Sequence, residues 1–515
     1  MPKDIFYLTA AIDYANGRPH LGHAYEKIGA DVIARYQRLK GRRVFFMVGT
    51  DEHSLNVARQ AAAAGKDPAL YCAEMAETFK EAYRTLRLSH DRFIRTDEEE
   101  HRRAVIKAVE RVQAKGLIYK GTYAGWYCAS CEAFLDEGDL MDGRCPVHPG
   151  RTVEWVAEEN WFFALSAFEE PLLRHFEANP GFLQPESRRN EVLNRLRAGL
   201  KDISISRASV DWGVPMPGAP DQVVYVWFDA LINYLTGVGY AGDGEGFAEA
   251  WPPDVQIIGK DITWFHAVIW PAMLMALDLP LPERIFAHGH VNAGGQKLSK
   301  SAGNAIDPLV LVADYGLDAV RFYLMREITW GGDGEFSLKA LVKCYNSHLA
   351  NDYGNLLSRC TAMIRRFCGG RLPAPGERTP VDEELRVLSG EVMREYEERM
   401  ERLDLSGALD SVWRLIRRAN KYVDETSPWT LAKREETRSR LGTVLYGLAE
   451  TLRIATIALT PFLVEGPAEF FRQLGLDHGL EELRLSYARW GLLAPGSEVR
   501  EGRAVYPRLA TSGEE

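Results

Sequence analysis

Apolar residues run almost unbroken from Ile5 to Ala11 and then thin to every third or fourth position, at Leu21, Ala24, Ile28, Val32, Tyr36 and Leu39. The first pattern predicts a buried strand. The second predicts a helix from Leu21 to Lys40, stopped by Gly41. A second apolar run, Val44 to Val48, predicts another strand that ends at Gly49-Thr50-Asp51-Glu52-His53. Strand, helix and strand at this spacing form a βαβ unit and hence a parallel sheet. Ligands bind beyond the carboxyl ends of strands in such sheets, and both the segment around His20 to His23 and Asp51 fall at that edge. From about Gly116 to Gln222 the pattern gives way to aromatics, cysteines and turn residues, which reads as an inserted domain. Sheet-like runs resume at Val223-Val224-Tyr225-Val226-Trp227 and at Val255-Gln256-Ile257-Ile258-Gly259. Beyond about Leu338 the chain is mostly amphipathic helix, broken by a loop from Gly369 to Gly376. No internal repeat is present.

Composition narrows this picture only in part. At 515 residues the chain holds more than one domain. No N-terminal signal is recognisable and no stretch approaches the length of a membrane span, so the expectation is a cytoplasmic protein without a membrane partner. A formal charge of −10 does not advertise nucleic-acid binding, nor exclude it, since local basic patches decide. Seven cysteines in a cytosolic chain argue against a disulfide framework.

Three of those cysteines cluster. Cys128-x2-Cys131 is followed, after thirteen residues, by Cys145-x2-His148. Two close pairs of soft ligands across a turn-rich excursion suit tetrahedral zinc. Four protein ligands close the coordination shell, so the expected role is structural.

Two further signatures carry chemistry. Pro19-His20-Leu21-Gly22-His23 lies where a strand gives way to the first helix. Lys297-Leu298-Ser299-Lys300-Ser301 follows a Gly-Gly turn about 280 residues later. A helix N-terminus offers backbone N–H groups and a positive dipole end to phosphate. Gly22 lets a nucleotide approach the backbone, and His20 and His23, three apart, share a helix face and can both donate to phosphate oxygens. Lys297 and Lys300 suit charge building on a leaving pyrophosphate.

This ordered pair resembles the two signatures of class I aminoacyl-tRNA synthetases. Six further segments narrow the resemblance to methionyl-tRNA synthetases and extend it over nearly the whole chain. They are Tyr14-Ala15-Asn16-Gly17, Gly49 to His53, Tyr225-Val226-Trp227-Phe228-Asp229-Ala230, Gly259-Lys260-Asp261-Ile262-Thr263-Trp264-Phe265-His266, Asn355-Leu356-Leu357-Ser358-Arg359 and Ser427-Pro428-Trp429. The resemblance implies an α/β fold: a Rossmann-like doubly wound parallel sheet with an inserted zinc-knuckle domain and a C-terminal α-helical anticodon-binding bundle. It divides the chain into a first catalytic half (1–115), a connective insert with the knuckle (116–222), a second catalytic half (223–285), a region bearing the lysine loop (286–345) and a helical anticodon-binding domain with its tail (346–515).

The implied activity is ATP-dependent formation of methionyl-adenylate, followed by transfer to the 3′ end of tRNA(Met). ATP, accompanied by magnesium, L-methionine and that tRNA are the implied partners. By resemblance, Ile12, Tyr14, Trp227, Ala230, Tyr234, Phe265, His266 and Trp270 wall the methionine pocket, with Tyr14 and His266 near the sulfur, and Asp51 takes the ammonium. Gly259 and Asp261 hold the ribose hydroxyls, and Asn355, Arg359 and Trp429 read the anticodon. Taken alone, the aromatics read more readily as core, and Trp429 as a buried anchor between helices. Three positions depart from the usual pattern: Asp13, Ser54 and Leu298. The chain ends soon after Tyr506, before any dimerising domain, so a monomer is expected. Another class I synthetase, or a tRNA-binding paralogue without catalysis, are the alternative readings.

Overall fold

The computed structural model describes residues 4–128, 133–135, 137–146, 152–208, 210–242, 246–297, 306–476, 479 and 482–510. The chain forms two compact units. One comprises Met1–Pro19, Val44–Arg84 and His90–His288, and the other His20–Arg43, Thr85–Ser89 and Gly289–Glu515.

The first unit is organised by a seven-stranded sheet. Its strands are β1 (Ile5–Ala10), β2 (Asp13–Tyr14), β3 (Arg43–Asp51), β4 (Arg92–Arg95), β5 (Leu183–Gln184), β6 (Val255–Gly259) and β7 (Ile285–His288). They lie in the order β2–β3–β1–β6–β7–β5, with β4 added beside β3. The pairings β2–β3, β3–β4, β1–β6, β6–β7 and β7–β5 are parallel. Near-continuous Val, Ile and Phe content suits strands covered on both faces, and β1 and β6 are buried almost throughout. The register sets Tyr14 beside Asp51, Ala10 beside Ile257 and Gly259 beside His288. The carboxyl ends of these strands therefore share one edge.

Between β4 and β5 the chain leaves this sheet. Ile118–Cys128 and Glu154–Phe163 form a long antiparallel pair, with Ala133–Leu135 and Ile203–Ser204 on its flanks. The apolar run Val223–Trp227, expected to resume the parallel sheet, does not. Its strand, Ala219–Val224, belongs to a separate three-stranded antiparallel sheet, and a short helix, Val226–Ala230, starts at once. A five-residue apolar run cannot by itself distinguish a strand from buried helix, and here it is split between the two.

The second unit starts with α1 (Leu21–Leu39). Asp31, wholly buried on α1, accepts from Arg35, Arg321 and Ser89. Burial pushes its carboxyl up, but the guanidinium groups of Arg35 and Arg321 outweigh that and hold it down at about 2. Arg321 also donates to the carbonyls of Leu86, Pro461 and Phe462. The long helices Pro380–Glu401, Leu405–Thr426 and Arg438–Leu459 dominate the C-terminal part. Contrary to the reading that no stretch approaches a membrane span, Glu435–Leu459 is long and apolar enough to cross one by length and composition. Its apolar window is fully buried within the protein, and Glu450 and Arg453 pair within the helix. It is the core helix of a bundle, apolar all round because it is surrounded.

Candidate active site

At the carboxyl edge of the parallel sheet, aromatic residues from three segments meet. Trp227 stacks on Phe265 with ring centroids 3.9 Å apart and planes 10° from parallel. Tyr14 meets the Trp227 edge at 6.3 Å, and His266 meets it at 6.2 Å. Tyr234 packs against both His266 and Trp270. Trp227, Ala230, Tyr234, His266 and Trp270 are buried, whereas Ile12, Tyr14 and Phe265 are only partly so. The side chains are held from behind. The Tyr234 hydroxyl lies 2.8 Å from His266 Nε2, and His266 Nδ1 lies 3.1 Å from the Ile262 carbonyl. A carbonyl only accepts, so Nδ1 carries a proton, and Nε2 faces the tyrosine hydroxyl. Tyr7 donates to the Tyr234 carbonyl, and Trp270 donates to Gln256, which in turn donates to Thr9 of β1.

Phe265–Ile269 is a π-helical turn, in which the Trp270 N–H reaches the Phe265 carbonyl. Such turns recur at functional sites. The sequence pattern does not reveal it, because a single extra residue in a helical run leaves no compositional mark.

Asp51 ends β3, is 4% exposed, and accepts the Ala15 N–H at its backbone carbonyl. The residues after it are pinned. Glu52, fully buried, takes a two-pronged hydrogen bond from Arg95 at 2.8 Å on each arm. His53 Nδ1 lies 2.7 Å from Asp229 Oδ2, and Ser54 caps the next helix through Val57 N–H. Ser54 therefore serves as a helix cap here. Asp13, likewise unusual, is buried and accepts the Tyr83 hydroxyl. Gly259 ends β6, and Asp261 stands exposed just beyond it.

Sequence reasoning passed over Asp229, His53 and His101. Asp229 is fully buried and binds His53 on one oxygen and His101 Nε2, at 2.7 Å, on the other. Burial pushes its carboxyl up, but the two histidines hold it below the usual carboxylate range. One signal was present: a single carboxylate inside the apolar run Val226–Ala230.

In the second unit, His20 is the N-cap of α1. Its Nδ1 accepts the Gly22 N–H at 3.1 Å, while His23 Nδ1 accepts the His20 N–H at 3.0 Å. The rings stack 3.8 Å apart. With both Nδ1 atoms acting as acceptors, each neutral ring carries its proton on Nε2. This modifies the expectation of open backbone donors. The first two N–H groups of α1 are used, Leu21 N–H by the Ile306 carbonyl and Gly22 N–H by His20. Gly22 has a local reason as well: a Cβ there would lie 2.9 Å from His20 Cε1.

Lys297 lies on a strand rather than a loop. Gln296–Lys297 pairs antiparallel with Val291–Ala293 across Gly294 and Gly295, both at positive φ, the conformation a two-residue hairpin turn requires. Lys300 falls outside the described residues. Of the four metal-ligand candidates, Cys128 and Cys145 are buried, while Cys131 and His148 lie outside the described residues. Among the described residues, the group that brings three metal-type donors within 4.8 Å of one another is a different one, Glu327, Cys344 and His348. Burial pushes the Cys344 thiol well up.

Farther along the second unit, a π-helical stretch, Tyr345–Gly354, runs into the helix Asn355–Phe367. Asn355 is exposed, and Arg359, one turn on, pairs with Asp424 at 3.1 Å. Trp429, on the short helix Pro428–Leu431, is 43% exposed and not a buried anchor.

The family model for class I tRNA synthetases (M) matches residues 6–152 and 138–361. The chain is 46% identical over 508 residues to the methionine–tRNA ligase of Caldanaerobacter subterraneus subsp. tengcongensis, spanning 98% of this chain and 79% of that protein. Its identity to the enzyme of the same name from Thermotoga maritima is also 46% over 508 residues, spanning 98% and 80%. Among solved structures it resembles the Mycobacterium tuberculosis methionyl-tRNA synthetase in complex with methionyl-adenylate, with a TM-score of 0.94, 41% identity and coverage of 98% and 100%. The free form of that enzyme gives a TM-score of 0.88 at 38% identity, covering 99% of each chain.

Proposed function

From the premise that the chain belongs to the class I methionine–tRNA ligases, which activate methionine with ATP and charge tRNA, we propose how its residues divide that work. The methionine side chain enters the space walled by Ile12, Tyr14, Trp227, Ala230, Tyr234, Phe265, His266 and Trp270. Aromatic faces suit a polarizable thioether, with the His266 imidazole as a polar group beside it. Asp51 accepts the substrate ammonium in a charge-assisted hydrogen bond. His20 and His23 direct their Nε2–H groups to phosphate oxygens, the Gly259 backbone and Asp261 bind the ribose hydroxyls, and Lys297 and Lys300 stabilise the departing pyrophosphate.

The substrate carboxylate attacks the α-phosphorus of ATP in line. The bond to the β,γ-phosphates breaks, and methionyl-adenylate forms. The terminal ribose hydroxyl of tRNA then attacks the adenylate carbonyl, and AMP leaves. No covalent bond to the protein is required, so catalysis is positioning and charge stabilisation. Magnesium on the triphosphate would add charge neutralisation.

Cys128, Cys131, Cys145 and His148 would hold one zinc. The two described donors, both buried thiols, fit a structural ion, and no chemical step passes through it. Asn355 and Arg359 hydrogen-bond an anticodon base while Trp429 stacks on one.

The observation that carries the reading is the cluster of aromatic side chains, Tyr14 to Trp270, beside the buried Asp51 carboxylate at the sheet's carboxyl edge. Its test is amino-acid-dependent exchange of pyrophosphate into ATP with all twenty amino acids. Methionine alone should support exchange. Exchange driven by a different amino acid, or none, overturns it.

A further inference from the structure

Two features of the first unit must act together for the amino-acid site to work. Asp51 stands at the end of β3, and Trp227 and Ala230 stand on the helix Val226–Ala230. Trp227 and Ala230 are three apart and share a helix face. Asp229, two residues after Trp227, turns about 200° from it at 3.6 residues per turn, so its carboxylate points to the back of the wall. There it meets His53, two residues beyond Asp51, at 2.7 Å and His101 of the helix Glu99–Ala114 at 2.7 Å. We propose that His53, Asp229 and His101 are positioning residues for methionine, one buried carboxylate clamping the strand end that bears Asp51 to the helix that bears Trp227 and Ala230. The inference rests on the proposed roles of Asp51 and Trp227.

The rest of the network points the same way. His101 Nδ1 lies 3.0 Å from the Thr236 hydroxyl, which ties the clamp to the helix Asn233–Thr236 that carries Tyr234. The second face of His53 meets Asp97 at 3.5 Å and Arg102 at 3.4 Å, and the Trp212 ring stands edge-on to it at 5.4 Å. Arg102 and Asp97 pair with each other. Trp212 donates to the Glu52 carbonyl, closing the cage around residues 52 and 53. Burial alone would pull the His53 imidazole down, but Asp229 outweighs it and lifts it to about 9. The direction of that shift favours the protonated ring against the Asp229 carboxylate, out of water. A buried ion pair is a poor source of net stability compared with apolar packing of the same volume. What it does supply is a fixed geometry between two elements, the requirement for a substrate whose ammonium and thioether must be met at once.

The test uses the full chain and steady-state exchange, with the KM for methionine and for ATP measured separately, beside a melting curve. His53→Ala removes the clamp, whereas His53→Asn keeps a donor near the Nδ1 position. His53→Ala should raise the methionine KM about tenfold and leave the ATP KM within twofold. His53→Asn should recover most of the methionine affinity. Asp229→Asn should reproduce the methionine defect in folded protein. The proposal is overturned if folded His53→Ala keeps the methionine KM within twofold of wild type. It is also overturned if both KM values rise together with a lowered melting temperature, the result a purely structural role predicts. Absence of methionine-dependent exchange in the wild-type chain would instead sink the functional reading on which the clamp rests.

Discussion

Trp227 and Trp429 are both expected to meet a flat or polarizable ligand, yet they stand in opposite surroundings. Trp227 is 9% exposed and stacked on Phe265, with Tyr14 and His266 at its edges. Trp429 is 43% exposed on a four-residue helix, beyond a residue in the left-handed region, Ser427. Asp51 is buried among fixed neighbours, while Arg359 is held by Asp424, itself 71% exposed. The contrast follows from the size of what each would bind. A small apolar amino acid brings few atoms and must find its walls already in place, because ordering them on binding would consume its affinity. A nucleotide base brings its own stacking face and can exchange a surface ion pair for new contacts at little cost.

If that division is right, damage should separate cleanly by region. The largest effect should follow Lys300→Ala. Charge builds on pyrophosphate only as the bond breaks, so the adenylation rate should fall by about two to three orders of magnitude, with the methionine KM within a few-fold. Pre-steady-state exchange reads both, and loss of affinity without loss of rate would contradict the role. Next is Trp429→Ala. Loss of a stacking surface worth about 1–3 kcal/mol per base should lower tRNA charging by roughly ten- to a hundredfold. Methionine-dependent exchange and the melting temperature should stay near wild type. A parallel loss of exchange, charging and melting temperature would reject the anticodon role and the comparison with it.

Smaller is the effect of Cys145→Ser. Undenatured protein prepared without chelator should contain about one zinc per chain, and the variant should lose it. The melting temperature should fall more than any chemical step slows, and metal analysis that finds no zinc in the wild type ends this proposal. Smallest is a difference in pH response. His53 is raised from 6.5 to about 9 on folding, so its stabilisation is full below 6.5 and is lost as pH rises through about 9. Asp31 is lowered from 3.8 to about 2, so its contribution is present above 3.8 and lost as pH falls through about 2. Denaturant unfolding across pH should therefore show an alkaline decline that His53→Asn flattens, and an acid decline of which the variant weakens the part owed to Asp229 and keeps the part owed to Asp31.

Much of this was legible in the chain. The strand from Ile5 ends within a residue of its expected limit, at Ala10, and the helix from Leu21 ends at Leu39. In the first an unbroken apolar run, and in the second a helical period, agree with the fold. Val223–Trp227 was misread because five apolar residues carry no period. The capping exchange between His20 and His23 was invisible for another reason. Both residues were assigned to phosphate, while their Nδ1 atoms serve the backbone. The clamp on Asp229 was missed because its partners lie 176 and 128 residues away, and no local pattern announces such a pairing.

The π-helical turn at Phe265–Ile269 has a consequence for how this pocket can change by insertion or deletion. In a regular α-helix, residues five apart point about 140° away from each other. Here the Trp270 N–H closes on the Phe265 carbonyl, which brings the two positions one above the other. Removing one of the four residues between them would restore regular winding with the two positions four apart, about 40° around the axis, so Trp270 would stay above Phe265 while the residues between them turn to new directions. A one-codon deletion in the turn would therefore keep both ends of the wall and change only the directions of the residues between them.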